Sequence, residues 1–464
     1  MDAELKEILD VDATTIERLS KPGPRYTSYP TAPEWSEDIA EKEAVSRLQT
    51  ADREGADSPL SLYFHLPFCR EMCTFCGCTV IVTNREERID RYLDYVVKEL
   101  DLVVAHLPTR RKVGQLHLGG GTPTFLSVAQ LSRLWEEVTK RFDILPDAEV
   151  ALEADPCVTT KEQLDLLRGF GFSRISMGVQ DFTPEVQEYV NRIQPEDQTR
   201  ELYEHARKLG FRGINFDLIF GLPKQQPETF AKTLDAIVDM RPDRIALFSY
   251  AHVPWIRPHQ RKFDEALLPN ASLKFQLFTQ SLKKFIQADY LQIGMDHFSV
   301  ADDELAQARL ARRLRRNFQG YTVNPASDTI SFGMSGIGDV AGAYLHNFKS
   351  LPKYYERLDN GELPTERGMV LTEEDKLRRH VIHEIMCNFY VSLQDSARLF
   401  GRDDDYFAPE IKKLAEVEDA GLIKRNGVEL EVTPLGRILV RNVAMVFDTY
   451  LGQKTGGQTF SKTI

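Results

Sequence analysis

An α/β fold is predicted, with about six short strands in a mostly parallel sheet and helices on its outside. Two observations predict it. From residue 61 onward, short apolar or β-branched runs alternate with helical patterns. Directly after the first such run comes a cysteine-rich loop, Cys69-Arg70-Glu71-Met72-Cys73-Thr74-Phe75-Cys76-Gly77-Cys78, and ligand-bearing loops of α/β sheets gather at the C-terminal ends of strands.

The candidate strands are 62–66, 115–118, 149–153, 174–178, 213–220 and 244–250. Helical patterns lie between them at about 85–105, 127–141, 160–169, 182–209 (interrupted near Pro195) and 227–239. Ser127 and Thr160 are the expected N-caps. An open partial barrel and a doubly wound sheet both fit this alternation.

The flanks read differently. Residues 1–59 carry an amphipathic helix, an extended segment and a second helix. The extended piece, Lys21-Pro22-Gly23-Pro24-Arg25-Tyr26-Thr27-Ser28-Tyr29-Pro30, cannot be a regular helix. It reads as a linker or as a segment packed over a ligand. Beyond Pro254 helices are expected near 271–288 and 301–318. They are followed by a glycine-rich stretch at 332–339 and a helix from the N-cap Thr372 to about Tyr390. Residues 408–445 read as helix, strand, Asn426-Gly427 turn and strand, a small winged-helix-like unit. The expected divisions are therefore 1–59, 60–260, 261–365, a mainly helical 366–450 and a polar tail at 451–464.

Composition narrows the function. The 464 residues hold 58 Lys and Arg against 70 Asp and Glu, a net charge of −12. That disfavours nucleic acid and anionic membrane as main partners. No apolar run is long enough to cross a membrane, and the first residues do not read as a secretory signal. Six cysteines, four of them between Cys69 and Cys78, make a site in a reducing compartment and not a disulfide scaffold. A cytoplasmic location is expected.

Thiolates at CxxxCxxC spacing suit zinc or an iron–sulfur cluster. Zinc sites usually add a second, distant pair, which is missing here. Three cysteines would hold three irons of a cubane and leave one iron open. Cys78 reads either as a fourth ligand or as a neighbour of the site. A glycine run after the second strand, Gly119-Gly120-Gly121-Thr122-Pro123, allows close backbone approach to a ligand. Glu153, Gln180, Arg192 and Asp217 lie at or near later strand ends. Asp217 is a charge inside an apolar strand and needs a partner, for which Arg192 or a ligand hydroxyl is the candidate.

CxxxCxxC after the first strand resembles the signature of the radical S-adenosylmethionine enzymes. From about residue 20 to 450 the chain resembles one branch of them, the oxygen-independent coproporphyrinogen III oxidases. The resemblance rests on 23–30, Tyr63–Cys69, Cys76-Gly77-Cys78, 119–123, Val190-Asn191-Arg192, 217–223, 250–254 and 294–298. A related branch of haem-binding chaperones generally lacks both the N-terminal segment and a cysteine at the position of Cys78; this chain has both.

The resemblance implies a partial (β/α)6 barrel and a monomer. It implies a [4Fe-4S] cluster on Cys69, Cys73 and Cys76, with Cys78 a required non-ligand. It implies S-adenosylmethionine, two molecules per substrate, at Tyr63, Gly120, Gly121, Thr122, Glu153, Gln180, Arg192 and Asp217. Ile219, Ala251 and Ile337 match additional cofactor contacts. The implied substrate is coproporphyrinogen III, with a one-electron reductant such as flavodoxin or ferredoxin and a separate electron acceptor. Arg25 suits a substrate carboxylate through its paired N–H donors, so that 22–30 would close over the site.

Overall fold

The computed structural model describes residues 15, 18–39, 41–55, 57–323, 326, 328–451, 460 and 463. Most of the expected N-terminal amphipathic helix and of the polar tail lies outside these residues.

Six strands run in parallel: β1 (Leu60–Leu66), β2 (Lys112–Gly120), β3 (Asp143–Ala154), β4 (Arg174–Gln180), β5 (Gly213–Phe220) and β6 (Arg244–Ser249). They are neighbours in sequence order, as a partial β/α barrel requires. Six more strands widen the sheet: β7 (Tyr290–Gly294), β8 (His297–Val300), β9 (Thr329–Phe332), β10 (Ile337–Val340), β11 (Ala343–Asn347) and β12 (Thr365–Val370). The full order is β12-β11-β10-β9-β1-β2-β3-β4-β5-β6-β8-β7. Strand β9 pairs parallel to β1, and the outermost strands pair antiparallel.

The helices form where expected in the first half. Those at Val128–Thr139 and Lys161–Gly169 start in capping boxes, from Ser127 with Gln130 and from Thr160 with Gln163. The stretch near Pro195 splits into Pro184–Tyr189 and Glu196–Leu209. After residue 260 three expectations are corrected. The helix expected over 301–318 stops at Leu310, and the chain turns into a hairpin of Arg315–Asn317 with Gly320–Thr322. The glycine-rich stretch is the turn from β9 to β10, so it belongs to the sheet. The helix from Thr372 ends at His383, followed by a π turn, Glu384–Asn388.

Alternation along the parallel strands explains the layers. Leu62, Phe64 and Leu66 of β1, Leu116 and Leu118 of β2, Ile175 and Met177 of β4 and Phe216 and Leu218 of β5 pack with the helices in one apolar core. The alternate positions are Ser61, Gln115, His117, Glu149, Glu153, Arg174, Ser176, Asn215, Asp217 and Arg244, and they face a cavity. A second core holds the C-terminal region. There, strands Tyr390–Ser392, Glu429–Val432 and Ile423–Asn426 pair with one another. Leu19, Tyr26 and Tyr29 of the N-terminal segment are part of this second core.

Glu99 joins the first core to the sheet extension. Its carboxylate accepts from Gly333 N–H (2.7 Å), the Asn347 amide (2.6 Å) and the Tyr354 hydroxyl (2.7 Å), with no cation among these partners. Burial pushes its pKa from 4.5 up to about 7. The folded state therefore holds a proton that the unfolded state releases from about pH 4.5 upward. Stability at this group is full at low pH and falls as pH rises through about 7, by about 3 kcal/mol in all. Glu99→Gln should flatten this slope, measured by urea unfolding between pH 5 and 8.

Candidate active site

Strand β1 ends at Leu66, and the chain enters the cysteine loop at Pro67. The loop is held mainly through its backbone. Gly121 N–H donates to Leu66 O (2.9 Å) and Thr122 N–H to Phe68 O (2.9 Å). Ile81 N–H donates to Pro67 O (2.7 Å) and Thr83 N–H to Cys69 O. Further along, Thr74 N–H donates to Val190 O (3.0 Å), and Asn191 donates through its amide to Met72 O (3.0 Å). On the far side His259 Nε2 contacts Cys76 O (2.8 Å), and buried Gln260 donates to Phe75 O (3.1 Å).

Cys69, Cys73, Cys76 and Cys78 line one cavity of about 450 Å³, together with Gly120, Gly121, Thr122, Glu153, Asp155, Gln180, Arg192 and Asp217. All four thiols are free. Burial pushes Cys69 up to about 12, and Cys76 and Cys73 add to the rise. The hydrogen bond from Cys78 pulls Cys76 down to about 7, while Cys78 itself rises. Thr122 Oγ1 lies 3.4 Å from Cys69 Sγ, and Arg192 donates to Cys73 Sγ at 3.8 Å. Among the described residues no three His, Cys, Asp or Glu side chains meet closely enough for one metal ion. Four thiols around one cavity, with a cation beside them, instead fit a polynuclear iron–sulfur cluster.

The glycine run passes very close to the loop. A Cβ on Gly121 would sit 2.7 Å from the Pro67 carbonyl carbon and 2.8 Å from Phe68 O. Gly120 has φ +115°, and a Cβ there would meet the His65 ring at 2.8 Å. Its N–H donates to Glu153 Oε2 (3.0 Å). Burial works against the Glu153 carboxylate, but His117 and this N–H outweigh it and hold its pKa below the usual glutamate value.

Asp217 and Arg192 do not pair. Asp217 accepts from Ser176 (2.8 Å) and Asn215 (2.8 Å) on its own sheet face, and burial raises its pKa to about 6. Arg192 pairs instead with Asp155 (2.9 Å) and donates to Gly178 O (2.8 Å) and Gln194. The reason is position: Asp217 stands mid-strand, while Arg192 rises from the loop before Pro195 and meets the strand ends. Gln180 lies at a β-bulge with φ +67°, which takes it out of the strand alternation.

The remaining predicted residues lie around this centre. Tyr63 stacks on His117 at 6.0 Å and contacts His65 Nδ1 (3.2 Å). Ile219, Ala251 and Ile337 are half-buried and do not line the cavity. Arg25 is ion-paired with Asp296 and lies 5.6 Å from the Phe248 ring centroid. Its segment is tied to the C-terminal region by Tyr26 to Asp448 (3.0 Å) and Tyr29 to Thr449 (3.0 Å). Sequence reasoning missed His65, His117, Asp155, Ser176, Asn215 and Gln260. For His65, His117, Ser176 and Asn215 a signal existed, the polar phase of the strand alternation.

Gly121→Ala would drive a methyl group into the backbone of the cysteine loop. It should cut iron retention severely while leaving the fold intact. Iron content and visible absorbance of anaerobically reconstituted protein, beside its circular dichroism, check this.

Residues 63–237 match the family model described as Radical SAM superfamily, and residues 371–439 the one described as HemN C-terminal domain. The oxygen-independent coproporphyrinogen III oxidase of Helicobacter pylori (strain 26695) is 44% identical over 456 residues, covering 98% of this chain and 99% of its own. The enzyme of that name from Escherichia coli (strain K12) is 44% identical over 462 residues, covering 98% and 99%. A solved structure titled as coproporphyrinogen III oxidase (HemN) from Escherichia coli, a radical SAM enzyme, superposes with a TM-score of 0.90. It is 42% identical and covers 95% of this chain and 99% of its own. Full-length identity of this order, on a partial barrel that carries three cysteines and a glycine run at one sheet edge, settles the assignment: the chain belongs to the oxygen-independent coproporphyrinogen III oxidases of the radical SAM superfamily.

Proposed function

We infer that this enzyme converts the ring A and ring B propionates of coproporphyrinogen III to vinyl groups without O₂, giving protoporphyrinogen IX for haem synthesis. The observation that carries the reading is the shared edge: the cysteine loop, the glycine run and a polar sheet face open into one cavity. Cys69, Cys73 and Cys76 are the thiolates for a [4Fe-4S] cluster. Bound, the cluster and S-adenosylmethionine supply the radical chemistry that removes hydrogen from an unactivated carbon.

This chain's own residues bind and orient. Gly120 and Gly121 let ligand and backbone approach closely. Thr122, Gln180 and Arg192 offer donors, and Glu153 and Asp217 offer carboxylates to the amine and hydroxyls of S-adenosylmethionine. Tyr63 supports His117 behind Glu153. Ile219, Ala251 and Ile337 serve as outer contacts. Cys78 assists the cluster as a non-ligand, through its hydrogen bond to Cys76. Arg25 holds the 22–30 segment against Asp296 at the edge of the site and presents a partly exposed guanidinium toward a substrate carboxylate. Two molecules of S-adenosylmethionine serve each porphyrinogen. A flavodoxin- or ferredoxin-like donor supplies electrons, and a separate acceptor takes the electron left after CO₂ departs. Among the described residues no helix is long and apolar enough to cross a membrane. The reading places the enzyme in the cytoplasm, where its thiols stay reduced.

Reconstituted enzyme given S-adenosylmethionine, a strong reductant, cell extract and coproporphyrinogen III without O₂ should remove CO₂ and two hydrogens from each of two propionates, with 5′-deoxyadenosine formed. Mass spectrometry of the tetrapyrrole reads the outcome, and an intact tetrapyrrole beside active S-adenosylmethionine cleavage would refute the reading. Cys78→Ser should keep its iron yet lose turnover at least tenfold. Iron loss in that variant would make Cys78 a ligand.

A further inference from the structure

Three cations stand at the upper edge of the sheet extension, beside the cysteine loop. The register fixes the sheet face. Cavity-lining Ser61 of β1 pairs with Thr329 of β9, which pairs with Asp339 of β10. Asp339 pairs with Tyr344 of β11; Ile337, two residues earlier, pairs with His346, and His346 pairs with Arg367 of β12. Partners in register share a face, so His346 and Arg367 lie on the face that lines the cavity. The strand directions fix the edge. β1 and β9 run parallel, β10 returns and β11 runs up again, so β11 ends and β12 begins level with the cysteine loop. Lys349 follows β11 at that edge. Arg257 arrives there from the loop after β6, two residues before His259, which contacts Cys76 O at 2.8 Å.

Among the described residues none of Arg257, Lys349 and Arg367 forms an ion pair closer than 4 Å, whereas the arginines nearer the cavity, Arg25, Arg174, Arg192 and Arg244, all do. Arg367 donates from Nε to His346 Nδ1 (3.2 Å), so buried His346 caps it without neutralising it. Lys349 is held below its usual pKa by burial and then by Arg367 and Arg257, with Glu366 the opposing charge. Burial, Lys349 and Arg367 push His346 down to about 3, so it stays neutral. Converging cations lacking a close carboxylate amount to a prepared anion site.

We propose that Arg257, Lys349 and Arg367 form a carboxylate-binding site at the mouth of the cavity that takes one carboxylate of the tetracarboxylate substrate and so orients the porphyrinogen against the cysteine loop. This rests on the function inferred above. It also answers a physical difficulty: a protein of net charge −12 repels a polyanion at long range, so local cations must draw it in. The carboxylate of S-adenosylmethionine has the same chemistry, and the test separates the two.

The probe is coproporphyrin III, the fluorescent oxidised form of the substrate, titrated into reconstituted protein. Lys349→Ala and Arg367→Ala should each weaken its binding about tenfold. Arg367→Lys should recover part of the loss. The affinity for S-adenosylmethionine, measured separately, should not change. Porphyrin affinity unaltered in both alanine variants overturns the proposal. Loss of S-adenosylmethionine affinity instead overturns it in favour of the cofactor's carboxylate. Because Lys349 is only partly covered and keeps much of its surface in solvent, its variant burdens folding least, and thermal midpoints check both. Wild-type protein that binds coproporphyrin III yet leaves coproporphyrinogen III intact would count against the functional reading alone.

Discussion

A strand in a sheet must send alternate side chains to opposite faces. In this sheet the apolar set goes outward to the helices and the polar set goes inward to a cavity. Buried polar groups are costly unless each finds a partner, and this requirement shapes the interior. Glu153 takes Gly120 N–H and His117. Asp217 takes Ser176 and Asn215. Arg192 takes Asp155 and the Gly178 carbonyl. At the opposite end Arg174 pairs with Glu149 (2.8 Å), and Arg244 pairs with Asp303 (2.9 Å) and Glu304 (3.0 Å). The lower end is thereby closed by ion pairs. The upper end keeps donors and acceptors at the surface of the cavity, where a ligand can use them.

The cysteine loop depends on the same edge. Its apolar anchors are few: Phe68, buried in the first core, and Phe75, packed beside Val186, Val190, Leu222 and Tyr250. Its shape comes from carbonyls and N–H groups that bond to the glycine run, to Val190 and to the loop holding His259 and Gln260. Backbone contacts hold a loop without demanding particular side chains, which leaves the thiols free to face the cavity. Tight packing against Gly121 then ties the first strand's loop to the second's. Two loops that could each move alone are held as one surface.

The C-terminal region acts on this edge through the N-terminal segment. Tyr26 and Tyr29 are buried in its core, while Arg25 between them and the sheet reaches Asp296. Trp35 stacks on Tyr344 at 5.0 Å, and it meets His346 edge-on at 6.1 Å. One segment thus contacts the second core, the β7–β8 turn and the sheet extension. That arrangement accounts for the prolines and aromatics of 21–36: an extended chain with large side chains can bridge surfaces that a helix cannot follow.

Much of this was legible in the order of residues alone. Contiguous features were clearest, because their chemistry and their spacing share a few residues. The cysteines, the glycine run and the caps at Ser127, Thr160 and Thr372 all stand where the chain places them. The six parallel strands were legible because each outward face is continuously apolar against a helix. The antiparallel extension was not. Strands β9 to β12 are short, glycine-punctuated and only partly apolar, and they become strands by pairing with partners brought from elsewhere in the chain. Charge partners were hidden for the same reason. Nothing near Asp217 in sequence marks Ser176, and nothing near Arg192 marks Asp155, since each pair forms only when separate strands are laid side by side. The sequence by itself determined where the thiols, the glycine run and the strand periods fall, because these are local. Only the tertiary structure decided which charges are neutralised by a close partner and which are not, because that depends on distances between residues far apart along the chain.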